Sequence, residues 1–174
     1  MLIDLHAHSS GISWCCRKPI SDILKTAGDY SIDGIVLTNH YMKNYVNEGG
    51  PSELAKRYVA EYDEAVRIGK ELGLTVFFGI EATLDKCFDA HMLIYGVNPD
   101  FLLENPALYD YTQELLYKRV NEAGGALIQR TLKEAPHVLF STQNILTGWS
   151  LTATRNTAAH TVSCCAKLPK GTAL

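Results

Sequence analysis

His6 and His8, two positions apart at the end of an apolar stretch, are the first residues of this chain whose types and spacing could do chemistry. On a strand over residues 1–5, positions i and i+2 project to the same face, so both imidazoles can aim at one point. A divalent metal ion suits that point, because neutral imidazole is the commonest protein metal ligand. Two polar histidines closing a strand without any metal would be spelled the same way. Further along, His40, Glu81 and His91 recur at the borders of other apolar runs. Each has an ordinary alternative when taken singly: His40 as a core histidine, Glu81 as a helix cap, His91 as a partner of Asp89. Jointly, four histidines and one carboxylate suit zinc, manganese or iron, with the carboxylate able to bridge two ions. A bridged pair of ions is the usual device for phosphoester hydrolysis: one generates hydroxide and both neutralise developing charge.

These residues need elements that deliver them to one place. After the strand over residues 1–5, residues 9–19 read as a loop holding Gly11, Trp14, Cys15-Cys16 and Arg17-Lys18. Ile20, Ile23, Leu24 and Ala27 have the spacing of a helix over 19–28. Asp33-Gly34 predicts a turn into a buried strand, 35–38, ending at Asn39-His40. A polar loop, 41–50, precedes a long amphipathic helix over 52–72, with Ser52 as its N-cap and Gly73 as its stop. Residues 74–80 form a third strand ending at Glu81, and 91–96 a fourth that begins with His91. A helix over 105–123 and a fifth strand over 126–129 complete the pattern. This alternation predicts parallel βα units with right-handed crossovers, whose sites gather at the carboxyl ends of the strands. His91 opens its strand, so it must reach the site from another direction.

At 174 residues and 47% hydrophobic, the chain is long enough for one well-cored domain. A net charge of −3 argues against nucleic acid as an obligatory partner. No apolar run reaches membrane-spanning length and the N-terminus enters a strand directly, so the expectation is a soluble cytoplasmic protein without a membrane partner. Four of the five cysteines are neighbours, Cys15-Cys16 and Cys164-Cys165, without zinc-finger spacing or a disulfide framework. The averages conceal a break. Residues 1–129 carry 18 acidic and 11 basic side chains, whereas 130–174 carry one acidic residue, Glu134, against five basic ones. Eight threonines and three serines crowd those last 45 residues, which show no amphipathic period. The chain thus divides into two regions: 1–129, and an atypical tail, 130–174.

Asp4-Leu5-His6-Ala7-His8-Ser9-Ser10 resembles the opening motif of the PHP (polymerase and histidinol phosphatase) family. Gly34-Ile35-Val36-Leu37-Thr38-Asn39-His40 is similar to its second motif, which more often ends Thr-Asp-His. Gly79-Ile80-Glu81 resembles the segment with a bridging glutamate, and His91-Met92-Leu93-Ile94-Tyr95-Gly96 the one with the next histidine. The resemblance spans 1–129 in order. It implies an α/β fold, a distorted (β/α)7 barrel, incomplete here at its C-terminal side. It also implies metal-dependent phosphoester hydrolysis by a metal-bound hydroxide at two or three divalent ions held by His6, His8, His40, Glu81 and His91. The substrate would be a small phosphorylated molecule, with Arg17 and less directly Lys18 clamping its phosphate. The aspartate often found about five residues after the family's His-x-His is absent from Gly11-Ile12-Ser13-Trp14, which bears on the third ion.

The family's Ala-His-Pro after a strand such as 124–129 is replaced by Arg130-Thr131-Leu132. Deleting one base from codons for Gln-Ala-His-Pro, as CAA-GCG-CAC-CCT, leaves CAA-CGC-ACC-CT, which translates as Gln-Arg-Thr-Leu. Run backwards, the same shift turns Thr147 to Arg155 into Asp-Gly-Val-Glu-Leu-Asn-Cys-His-Pro, which looks like the family's closing strand. A genuine divergent tail is the alternative. A frameshift would remove at least two ligands and the last strands, leaving His137 and His160 without a role. It would also leave an uncovered sheet edge open to self-association and impair activity. Rival functions are an amidohydrolase-like metal hydrolase, which usually needs a lysine and a late aspartate not found here, and an inactive metal-binding or structural domain.

Overall fold

In the computed structural model, which describes residues 1–85 and 90–131, helices and strands alternate. The order is β1 (Ile3–Ala7), α1 (Ile20–Asp29), β2 (Gly34–Leu37), β3 (His40–Tyr41), α2 (Gly50–Leu72), β4 (Thr75–Thr83), β5 (Ala90–Tyr95), α3 (Pro99–Glu104), α4 (Gln113–Glu122) and β6 (Ala126–Thr131). β1, β2 and β4 lie side by side and parallel, with Asp4 opposite Ile35 and Ile35 opposite Val76. The two-residue β3 extends this run, setting His40 opposite Glu81 on β4.

The expectation of a uniformly parallel sheet fails at β5. It runs antiparallel to β4, pairing Thr83 with His91 and Glu81 with Leu93. Residues 84–89 are too few for a parallel crossover, which needs about a dozen or more. β6 is in turn antiparallel to β5, with Ile128 opposite Leu93. Because β5 is reversed, its first residue lies at the same end of the sheet as the last residues of β1, β2 and β4. That reversal is the different direction His91 required.

The sheet curls as a half-barrel, so the fold is mixed α/β and compatible with an incomplete barrel. Tyr95 on β5 donates its hydroxyl to the Leu5 carbonyl on β1 at 3.0 Å, although β2 and β4 stand between them in sheet order. Three strand spacings on a flat sheet would hold those strands about 14 Å apart.

α1 buries Ile20, Ile23, Leu24 and Ala27 against Ile35, Leu37 and Ala7, as their helical spacing predicts. α2 spans both halves of the core. Its Leu54, Ala55 and Tyr58 pack with the β4–β5 side chains Ile80, Ala82, Met92 and Ile94, and its Ala65 with the β1–β2 side. The helix starts at Gly50 rather than after a Ser52 cap; Gly49 holds the N-cap position and Pro51 fits the first turn, where its missing N–H costs nothing. Gly73 ends it in the left-handed conformation at φ 73°, which a side chain would strain.

The single helix predicted over 105–123 is shortened to α4, and a separate helix, α3, precedes it. Asn98 caps α3 by accepting from the Phe101 amide at 3.1 Å, and Thr112 caps α4 by accepting from the Leu115 amide at 3.2 Å. Pro106, with no amide to donate and a bias against helix at Asn105, separates the two. No helix among the described residues is long and apolar enough to cross a membrane. The expectations for the tail fall on residues that lie, beyond β6, outside the described ones.

Candidate metal centre

Four imidazoles converge on one carboxylate. Glu81, 2% exposed near the end of β4, has His8 Nε2 at 2.9 Å, His6 Nε2 at 3.3 Å and His40 Nδ1 at 3.4 Å from its Oε2. His91 Nδ1 stands 3.0 Å from its other oxygen, Oε1. Each approach follows from strand geometry. His6 and His8 leave one face of the chain at the end of β1, as the two-residue period requires. His40 faces Glu81 in register across β3 and β4. His91 lies diagonal to Glu81 across the antiparallel pair, within reach for long side chains.

The residue types and spacings fit a metal. Ligands about 2.0–2.2 Å from one ion, at angles between right and tetrahedral, lie about 2.9–3.6 Å from one another. The contacts to Glu81 and the 3.1 Å between His6 Nε2 and His8 Nε2 fall in that band. Two atoms carry the point further. His40 Nδ1 and Glu81 Oε2 are buried and meet no hydrogen-bond partner among the described residues. Unsatisfied buried polar atoms are costly, and a cation between them would satisfy both. The ligand atoms of His6, His8 and Glu81, and those of His40, Glu81 and His91, each lie within 4.8 Å of one another. Glu81 belongs to both groups, as a bridging carboxylate must.

The electrostatics agree. Burial acts to raise the Glu81 carboxyl, but the close approach of His8 and His91 and the fields of His40 and His6 outweigh it. They hold the group well below the usual carboxylate range. Burial pulls His40 down to about 4 against the attraction of Glu81, with the neighbouring histidines adding to the fall. A neutral imidazole beside an ionised carboxylate is the protonation state that binds a cation.

A surrounding polar layer, which the sequence did not announce, fixes these ligands. Thr38 Oγ1 lies 3.1 Å from His6 Nδ1, so the Nδ1–H tautomer leaves the Nε2 lone pair facing Glu81. Asn39, where the second motif more often has aspartate, accepts from the Ser9 amide at 2.8 Å and from Ser13 Oγ at 2.7 Å. Its Nδ2 donates to Ser9 Oγ at 2.9 Å, and Ser9 Oγ donates onward to Glu61 at 2.6 Å. An aspartate could not supply that Nδ2 donor. Ser13 Oγ also accepts from the His40 amide at 3.0 Å, which ties the loop after β1 to the ligand after β2. Gly11 sits where any side chain would meet the Glu61 carboxylate. Asp4 accepts from the His6 amide at 3.0 Å; burial raises its carboxyl, with that bond and His8 opposing.

The structure thus brings His6, His8, His40, Glu81 and His91 together. It does not draw in Arg17 and Lys18, whose side chains are exposed on the loop after β1. It adds Cys15, whose Sγ lies 3.2 Å from His8 Nδ1. The sequence signal for Cys15 was slight, a cysteine seven residues after His8 with no recognisable spacing.

No protein-family model matches the chain, and no curated protein matches it. Among solved structures, a candidate metal-dependent phosphoesterase of Bifidobacterium adolescentis is similar at a TM-score of 0.42 and 19% identity, over 60% of this chain and 32% of that one. The chain spans about a third of that protein's length.

Proposed function

We propose that this chain is built as a metal-dependent phosphoester hydrolase of the PHP type, on a (β/α)7-like barrel of which the described sheet is a part. The observation that supports this most is the buried Glu81 Oε2, which completes no hydrogen bond although the nitrogens of His6, His8 and His40 ring it, with His91 on the carboxylate's other oxygen. His6, His8 and Glu81 would hold one divalent ion, and His40, Glu81 and His91 a second, with Glu81 shared. Bound there, such ions supply Lewis acidity and an acidified water for attack on phosphorus. The chain's own part is to present neutral imidazoles, keep the bridging carboxylate ionised and dry, and fix ring orientation through Thr38 and the Asn39 network.

Arg17, with Lys18 beside it, is proposed to steer a small phosphorylated substrate to the rim. Guanidinium is suited to bidentate phosphate contact, and the exposed position keeps it reachable by solvent-borne ligands. The test is phosphate release from a generic aryl phosphate with added manganese or zinc, compared with chelated protein. Metal-dependent release lost in Glu81→Ala supports the proposal. Tight metal binding without any release, in this chain and in a frame-restored one, would make the domain a metal-binding module instead.

A further inference from the structure

Trp14, the one tryptophan among the described residues, is 71% exposed yet held in place. Its amide donates to the Tyr45 hydroxyl at 3.2 Å, and its ring rests on the buried Tyr45 ring with centroids 4.3 Å apart. Ser13 beside it fixes the backbone further. The Ser13 amide donates to the Ser9 carbonyl at 2.9 Å and its hydroxyl to Asn39 at 2.7 Å. A large aromatic surface is thus presented to solvent on a fixed base.

The same ring lines an open cleft of about 420 Å³ between the loop after β1 and α2. Trp14, Ile12 and Gly11 form its loop side, Arg57 and Glu61 its helix side. The volume falls in the range of small-molecule sites, about 300–1,000 Å³. Arg57 and Glu61 leave α2 on one face, four residues apart, but Glu61 Oε1 accepts from the Ser9 hydroxyl at 2.6 Å instead. Arg57 has no ion-pair partner among the described residues. Arg67, also exposed on α2, shows the contrast: Glu64 at 2.7 Å and Glu71 at 2.6 Å meet its charge. Gly11 lets the loop close on Glu61, since a Cβ there would run into the carboxylate.

We infer that this cleft binds a small planar anion of nucleotide size, with a heteroaromatic ring stacked on Trp14, a phosphate on Arg57 and a ring amino group toward Glu61. An exposed guanidinium matches phosphate with two parallel hydrogen bonds, and an indole face takes a flat ring of any sequence of atoms. The carboxylate beside them favours a ligand that also carries a donor. Ser9, Asn39 and Ser13, all fully buried, hydrogen-bond in series between Glu61 and the His40 amide. They wall the cleft from the metal positions, so binding here needs no ion. The inference stands or falls separately from the proposed hydrolysis.

The experiment uses the full chain carrying Trp149→Phe, in which Trp14 is the one tryptophan, with excess chelator present. Adenosine 5′-monophosphate should quench its fluorescence saturably. Arg57→Ala should weaken binding by about 10- to 100-fold, and adenosine, lacking the phosphate, should bind more weakly by a similar factor. Ribose 5-phosphate, which has no ring to stack, should not quench. Trp14→Ala, followed by calorimetry, should lose about 10- to 100-fold in affinity with circular dichroism unchanged. Absence of quenching, or quenching that Arg57→Ala leaves as it was, would overturn the cleft as a binding place. Binding that requires added manganese would assign Trp14 to the substrate of the metal centre and overturn a separate site.

Discussion

At the scale of single residues, Glu81 does the most with the least exposure. It is the shared member of both histidine groups, and its ionised state depends on the rings around it. Glu81→Gln keeps the shape and removes the charge. Outer-shell changes alone typically cost ~10- to 100-fold in metal affinity, so this substitution should cost more than ~100-fold and reduce the bound ions, measured by calorimetric metal titration. Unchanged stoichiometry would remove the bridging role. Thr38→Val tests the layer behind the ligands. The hydroxyl 3.1 Å from His6 Nδ1 is lost without much change of volume, and metal affinity should fall by ~10- to 100-fold with the fold intact by circular dichroism. The five convergent side chains were legible in sequence because they sit at apolar-run borders. Thr38, Asn39 and Cys15 were not, because hydrogen bonding across loops leaves no period to read.

At the scale of elements, the reversal of β5 decides the geometry of the site. An apolar run such as 91–96 spells a strand without stating its direction; only the shortness of residues 84–89 forbids a parallel crossover. The predicted helix over 105–123 went astray for a related reason: its periodic positions were real, but Pro106 and the Thr112 cap delay the helix to Gln113, after a short turn at Leu108–Asp110. α2 shows how an element far from the ligands in sequence holds them together. Tyr58, buried at 1% exposure, places its hydroxyl 2.8 Å from the Asn39 carbonyl and 2.9 Å from the Gly79 carbonyl. It thereby joins the segment before His40 to the strand carrying Glu81. Tyr58→Phe leaves two buried carbonyls without that donor and should lower unfolding free energy by about 1–3 kcal/mol in urea titration. Because the same bond spaces His40 from Glu81, metal affinity should fall too. The Asn39 carbonyl also accepts from the Glu81 amide at 3.0 Å, so a variant as stable as the parent would show that the Tyr58 hydroxyl adds nothing to what that amide supplies.

At the scale of the whole molecule, the change of character after Gln129 decides how complete the site can be. β6 continues to Thr131 and sets Arg130 opposite His91, so the chain leaves the described sheet at the ligand end. That is where the family's Ala-His-Pro would deliver a further histidine, and where Arg130-Thr131-Leu132 stands instead. A one-base shift would account for both this replacement and the change of composition at the same point, from a net charge of −7 over 1–129 to +4 over 130–174. The ligands already assembled form two groups that share Glu81, each with nitrogens from only two rings. Each group thus offers three ligands without those expected from later motifs, so a pair of ions clamping attacking and leaving oxygens would be held less tightly than in a completed site. The 174-residue chain should therefore release phosphate poorly from an aryl phosphate. A version with one base restored after the Gln129 codon should recover metal-dependent release, at matched protein and manganese concentrations. It should also be the less self-associated of the two by sedimentation, since among the described residues β6 pairs only with β5 and a continued barrel would cover that edge. Equal, robust turnover by both chains would mean that residues 130–174 supply the missing ligands in their present frame, and that the shift never occurred.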